Sequence, residues 1–322
     1  MATTTAPTIS SSLPSSPITS IQPGGGFCFA LERAWGRWRR AWLRRLRPGY
    51  VRRMTERRRG ECPKCPHDIV DARDLKLYRN VCGYWFRPED DAFAWRGRLR
   101  LARAGLAELL FFSGIFLLLS AAVVLLGLFV QPLFYLGLIL TLTPWLFVVS
   151  FFRDPERTVP SDADVLVSPA DGTVTHVGET NDADFPGGRA FTISIFLSVF
   201  NVHVNRLPRS GRVVALRYYP GEFLDARAAD CSVRNEQFWI DLIDARTGGL
   251  VRIKQIAGAI ARRIVCWLKL NEEVRTGERL GMIKFGSRTE VSVPVELVQE
   301  ALVRVGDTVH GGSTILLRLK SQ

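Results

Sequence analysis

Residues 109 to 152 contain no Asp, Glu, Lys, Arg or His, and no other feature limits what this chain can become as strongly. Drawn as one helix at about 1.5 Å per residue, the run would reach roughly 66 Å, about twice the ~30 Å hydrocarbon core of a bilayer. Gln131-Pro132 sits at its centre, and proline lacks the N–H that a continuous helix needs. Two spans are therefore expected, about 109–130 and 133–152, within a hairpin segment of 104–152. A re-entrant hairpin held in one leaflet is the alternative. Either returns the chain to its starting side. Arg98, Arg100 and Arg103 precede the run, and Arg153 and Arg157 follow it. The excess of cytoplasmic Arg and Lys beside membrane spans places both ends on the cytoplasmic face of a cell (inner) membrane. An organelle membrane is the less favoured location. A soluble core would have to hide the whole run with no charged face.

The formal net charge is +12, which suits an anionic membrane surface or nucleic acid. The uncharged run favours the membrane, and no nucleic-acid partner is expected. Residues 1–26 are mostly Ser, Thr, Pro and Gly, too poor in large apolar groups to offset the entropy of ordering, so a disordered tail is expected. Residues 27–60 read as a basic helical segment. Between 31 and 59 twelve arginines face only Glu32 and Glu56, and Trp35, Trp38 and Trp42 fall on one helical face. Such a helix can lie on anionic lipid; a solvated basic helix is the alternative. The Ser/Thr-rich, acid-poor start also resembles an organelle transit peptide. Residues 61–103 form a small accessory region with Cys62, Cys65 and Cys82. These three and His67 are candidate ligands of a structural zinc or iron, since a closed zinc site takes four S or N donors. Reduced thiols without metal weigh equally, and redox work is a third reading. The six scattered cysteines do not suggest a secreted disulfide framework.

From 153 to 322 short runs rich in Val, Ile and Phe alternate with Gly, Asp and Pro turns, so this part reads as mainly β. Strands are expected at 164–168, 173–177, 190–195, 212–218, 236–243, 250–256, 262–269, 281–286, 289–293, 301–304 and 314–319. The turns at Ser168–Val174 and Val305–Gly312 resemble those of biotinyl and lipoyl carrier domains. That implies a barrel-sandwich-like core built from both ends of the domain. Lys284 lies in an expected strand rather than in the exposed hairpin that presents a carrier's lysine, so carrier function reads poorly.

Met282 to Phe285 is a strand-like apolar run ending at Gly286-Ser287-Arg288. No side chain shields a glycine carbonyl, and a serine one residue on can attack it if the backbone is held in a turn and a base takes the proton. For an arbitrary Gly-Ser, an ordinary turn is the better reading. Phe285-Gly286-Ser287-Arg288, however, resembles the self-processing site of the phosphatidylserine decarboxylases. Phe151–Arg157, Val167–Gly172 and Phe200–Pro208 resemble the family's other blocks, in the family's order, so that the resemblance covers roughly 130–320. It implies cleavage between 286 and 287, with Ser287 becoming a covalent pyruvoyl group. It also implies decarboxylation of phosphatidylserine to phosphatidylethanolamine and CO2 through a Schiff base. The partners implied are a phospholipid in the bilayer and a heterodimer of the chain's own two products, with a higher homo-oligomer left open.

The resemblance also nominates residues. His203, one of four histidines, lies in the histidine block and would be the base, oriented by Asp171 in an Asp171, His203, Ser287 arrangement. Longer family members carry two histidines in this block. Here Arg206 stands where the second would be, so His203 must serve both self-cleavage and protonation of the decarboxylated carbanion, or another group helps. Arg153, Arg206 and Arg288 are candidate contacts for the head group. His176 and His310 are read as structural. An ether-type phosphatidylserine is an alternative substrate, because the tails stay in the membrane. A membrane-anchored adaptor with a carrier-like β domain is the non-enzymatic alternative, and it would remain one chain.

Overall fold

The computed structural model describes residues 27–63, 65, 68–75, 82–228, 230–260, 263–284 and 286–320; the tail expected at 1–26 lies outside them. Helices α1 (Phe27–Leu46) and α2 (Pro48–Arg57) form the basic segment. The break falls before Pro48, which is suited to a first helical turn where its missing N–H is not needed. A single turn, α3 (Ala72–Leu75), follows. Its buried Asp74 accepts from Arg39 and Arg40 of α1 and caps the N–H groups of Val70 and Asp71.

The uncharged run folds into α4 (Leu106–Phe129) and α5 (Gly137–Phe151), joined through a 3-10 turn at Pro132–Leu136. Both helical stretches are long and apolar enough to cross a membrane. Their outer faces are bare: Leu118, Phe129 and Leu140 are 74%, 82% and 79% exposed. Between the helices, Ser120 donates to Thr141 and Trp145 to Ser113, at 2.8 and 3.0 Å. Pairing polar groups inward in this way is what an apolar solvent demands.

The rest is β. Strands β1 (Val165–Val167), β2 (Gly172–Asn181), β3 (Arg189–Leu197), β4 (Val204–Arg206), β5 (Gly211–Tyr219), β6 (Gln237–Asp244) and β7 (Leu250–Ala257) come first, with one helical turn, α6 (Cys231–Arg234), between β5 and β6. Strands β8 (Arg263–Cys266), β9 (Glu273–Val274), β10 (Arg279–Lys284), β11 (Ser287–Pro294), β12 (Val298–Ala301), β13 (Thr308–Val309) and β14 (Ile315–Leu319) follow. An eight-stranded antiparallel sheet runs β13-β2-β3-β11-β7-β6-β5-β9 and curls as a half barrel; two three-stranded sheets, β1-β14-β12 and β4-β10-β8, complete the domain. The expected strands are present except that the one placed at 301–304 lies earlier, as β12 at Val298–Ala301; β4, β9 and β13 are too short for a periodic pattern to reveal. Alternation explains the large sheet. Ile193, Ile195, Ile240, Ile253, Val291 and Val293 belong to the main core. Their neighbours Ser194, Asp241, Arg252, Lys254, Glu290 and Ser292 are buried on the other face. There Arg252 bridges Asp182, Asp184 and Asp241. A second apolar cluster fastens the hairpin to the small sheet: Leu109, Phe151 and Phe152 pack with Val202, Val204, Val265 and Met282.

Candidate active site at the Gly286–Ser287 bond

The chain changes sheets at this bond. Strand β10 pairs with β4 (Met282 opposite Val204) and with β8, while β11 begins at Ser287 between Leu197 of β3 and Ala257 of β7. Gly286 makes the change with φ +69°, a left-handed conformation that costs an L side chain roughly 1–2 kcal/mol. Because β4 lies beside β10, His203 at its start comes level with Gly286, whose N–H donates to His203 Nε2 at 3.2 Å.

That bond fixes the imidazole's state. Nε2 accepts, so it carries no proton, and Nδ1–H donates to the Asn201 carbonyl at 2.9 Å. Asn201 is itself pinned, its side-chain oxygen accepting from the N–H and Oγ–H of Ser198, both at 2.8 Å. The ring is fully buried and lies 4.4 Å from the Phe151 ring at the end of α5. Burial pushes its pKa down to about 4, helped by the Arg153 charge. His203 is thus neutral at physiological pH, with the lone pair of a base held on the Gly286 N–H, one peptide unit before the Gly286–Ser287 bond. Ser287 Oγ is buried and has no hydrogen-bond partner. An unpartnered buried hydroxyl is costly in an ordinary core and common where chemistry is prepared. The carbonyl of Gly286 faces Gly258, where a Cβ would come within 2.6 Å of its oxygen. Sequence reasoning missed Gly258 and Asn201: one matters by having no side chain, the other chiefly through its backbone carbonyl.

The other candidates are placed differently. Asp171 makes no hydrogen bond to His203. It accepts from Arg157 at 2.7 and 2.9 Å and from the Gly311 N–H at 2.8 Å, and His310 Nδ1 stands 3.5 Å away. Its charge still reaches His203, raising the imidazole's pKa against the effect of burial. Arg206 is engaged by Asp154 at 2.7 Å and by the Gly277 and Pro155 carbonyls. Arg288 lies on the opposite sheet face from the Ser287 side chain; it donates to Ser232 at 3.0 Å, and its Nε has no partner. Arg153 is the candidate nearest the histidine loop, donating to the Phe200 carbonyl at 2.6 Å. Phe285 and His67 lie outside the described residues. Cys62, Cys65 and Cys82 do gather, their sulfurs all within 4.8 Å of one another. Cys62 and Cys65 are joined as a disulfide, contrary to the expectation of thiols, and Cys82 is a free, buried thiol 3.1 Å from Cys65 Sγ.

Two loops with exposed apolar tips flank the bond. Phe200 is 72% and Ile260 65% exposed, and Phe200 packs edge-on against Phe147 of α5.

Residues 145–317 match the family model described as phosphatidylserine decarboxylase. A curated protein of Rhodopirellula baltica named phosphatidylserine decarboxylase proenzyme is 43% identical over 246 residues, 76% of this chain and 98% of its own length. A protein of the same name from Trichlorobacter lovleyi is 47% identical over 207 residues, 64% of this chain and 91% of its own. A third, from Desulfotalea psychrophila, is 45% identical over 170 residues, 53% and 78%.

Proposed function

Because the chain belongs to the phosphatidylserine decarboxylase family, we propose that it cuts itself between Gly286 and Ser287 and then converts phosphatidylserine to phosphatidylethanolamine and CO2. The observation that carries this is an unpartnered buried Ser287 hydroxyl beside Gly286, whose own N–H is held by a neutral, buried His203. His203 Nε2 takes the Oγ proton as Oγ bonds to the Gly286 carbonyl carbon. The Gly286 C–N bond breaks, the proton passes to the Ser287 nitrogen, and an ester remains. Loss of the Ser287 α-proton then expels the Gly286 carboxylate, and hydrolysis with release of ammonia leaves a pyruvoyl group at the new N-terminus. When formed, that group supplies the electron sink that loss of CO2 from an amino-acid head group requires.

The 36 residues from Ser287 on are too few to fold alone. Strand β11 lies between β3 and β7, β14 between β1 and β12, and β13 pairs with β2, so the two products stay together as a heterodimer. For the second reaction His203 Nε2, unprotonated at rest, relays a proton from water to the carbanion, and Arg153 is the cation for the head group. Arg206 and Arg288, engaged by Asp154 and Ser232, build the site. Asp171 acts on His203 through its field. We propose the five-part organisation with boundaries near 26, 60, 103 and 152, the hairpin embedded in the cell (inner) membrane, and the β domain on its cytoplasmic face. The exposed Phe200 and Ile260 then meet the acyl boundary, and the lipid needs to lift only its head group. In the reduced state Cys62, Cys65 and Cys82 offer three soft donors suited to zinc, with His67 the proposed fourth; metal content with and without reductant tests this.

The test of the main proposal is the intact mass of purified wild type beside Ser287→Ala, followed by decarboxylation of phosphatidylserine in mixed micelles. Wild type should give two chains, the smaller with a ketone-reactive, sequencing-blocked N-terminus, and should release CO2. Ser287→Ala should stay whole and inactive. Folded, uncut wild type would overturn the proposal.

A further inference from the structure

A groove of about 560 Å³ lies between the basic segment and the start of the hairpin, away from the cleaved bond. Such a volume falls in the usual range for small-molecule and lipid sites. Trp35, Trp38 and Trp42 of α1 form one wall, Trp95 another, and Leu106 and Leu110 of α4 the floor. The tryptophan face recognised in the sequence lines this cleft. Leu110 is 55% exposed, and it continues into the bare face of α4, where Leu117 and Leu118 are also exposed. The cleft is thus open to whatever solvates the hairpin.

Its charge is one-sided. Arg39, Arg47, Arg73 and Arg96 line it. Arg39 is taken by Asp74 and Arg73 by Asp71. Arg47 and Arg96 have no carboxylate partner among the described residues. Arg96 lies over the rings of Phe93 and Trp95, at 4.7 and 5.8 Å. Its pKa is lowered, first by burial and then by the charges of Arg73, Arg39 and Arg103. Unpaired guanidinium groups beside an apolar cleft open to the bilayer are complementary to one kind of molecule, an acyl chain carrying a phosphate.

We propose that this groove is a binding site for an anionic phospholipid, distinct from the substrate site, with its phosphate held by Arg47 and Arg96 and an acyl chain lying along Leu106 and Leu110. The inference rests on the proposed embedding of the hairpin. The bound lipid completes the seam between the basic segment and the hairpin, and so holds α1 at the membrane surface.

The test uses the full processed protein in phosphatidylcholine nanodiscs and a lipid that is not a substrate. Phosphatidylglycerol with brominated acyl chains is added at low mole fraction, and tryptophan quenching is compared with that from brominated phosphatidylcholine at the same fraction. Four of the eight tryptophans line the groove, and Trp145 lies in the hairpin. The phosphatidylglycerol probe should quench several-fold more. In Arg47→Gln/Arg96→Gln the excess should vanish, while self-cleavage and the near-UV spectrum remain those of wild type. Inorganic phosphate should not displace the probe. Equal quenching by the two lipids, or an excess that survives the double substitution, overturns the groove proposal alone. Loss of the excess on adding phosphate shows a free-anion site instead. Absence of quenching by either lipid overturns the embedding and this inference with it.

Discussion

Replacing Lys284 by Met should damage the protein more than any surface substitution, for a reason visible in four side chains. The ammonium of Lys284 is fully buried, two residues before Gly286. It donates to Glu32 of α1, to Glu108 of α4 and, at 3.2 Å, to the Ala104 carbonyl. Arg263 of β8 stands 3.7 Å from Glu32, and all four charged side chains have 0% exposure. The cluster sums to zero charge. Burial alone would lower the Lys284 pKa, but Glu32 and Glu108 outweigh it and hold the ammonium above its ordinary range. Its contribution is present in full below the ordinary lysine pKa and is lost only as pH rises through the higher folded value, so it operates undiminished at pH 7. Lys284→Met keeps the volume and leaves two buried carboxylates with Arg263 alone. Breaking a buried ion pair in this way costs about 3–5 kcal/mol, a large part of the ~5–15 kcal/mol that holds a domain together. Denaturant unfolding in detergent, done in an uncut Ser287→Ala background, measures it. Adding Glu108→Gln restores neutrality with Glu32 and Arg263 still paired, and should recover more than half of the loss. A Lys284→Met protein within about 1 kcal/mol of its parent, the range of ordinary substitutions, or a double variant no better than the single, would refute this account.

Self-cleavage should be insensitive to pH from 8 down to about 5 and should fall below that with a midpoint near 4, because His203 must be neutral and its pKa is lowered to about 4; a pH series on freshly made precursor reads it. Since the unfolded imidazole titrates near 6.5, the same group stabilises the fold above that pH by on the order of 3 kcal/mol, lost as pH falls toward 4; melting temperature against pH follows it. Arg153→Gln should move the cleavage midpoint up and Asp171→Asn should move it down, as their charges lower and raise the His203 pKa respectively, and shifts of the same sign would show that neither field reaches the ring. Gly258→Ala places a Cβ 2.6 Å from the Gly286 oxygen and 3.2 Å from Ala226 Cβ; displacing the scissile carbonyl should slow cleavage roughly 10- to 100-fold in protein that melts normally.

The strands of the β domain were legible because alternation of Ile and Val with polar residues in β3, β6, β7 and β11 is set by two-sided burial, which a sequence displays directly. The hairpin was legible for the same reason in its extreme form. What sequence could not display was partnership across distance. Glu32 read as one of two acids among twelve arginines and Glu108 carried no reading at all, yet both meet Lys284, 252 and 176 positions away. Triad logic joined Asp171 to His203. In the structure, a backbone carbonyl, which has no sequence signature, holds Nδ1, while Asp171 is taken by Arg157. Arg206 looked available for phosphate because Asp154, its partner from 52 positions upstream, is indistinguishable in sequence from any turn aspartate.

These distant contacts have a common geometry that bears on how the hairpin works. The segment entering α4 grips the strand before the scissile bond, through Glu108 and the Ala104 carbonyl on Lys284. The end of α5 grips the base, through Phe151 against the His203 ring and Arg153 on the Phe200 carbonyl. Nucleophile strand and base are therefore registered against each other partly through the two feet of one helical pair, and the cluster of Leu109, Phe151, Val204 and Met282 fills the space between those feet. A detachable anchor would need only a linker to the β domain. This hairpin instead contributes packing and charge to the site itself, and its outer surface is too apolar to be stable in water. Under the proposed embedding, whatever solvates that surface also supports the two feet, so assembly of the cleavage site would be coupled to insertion of the hairpin.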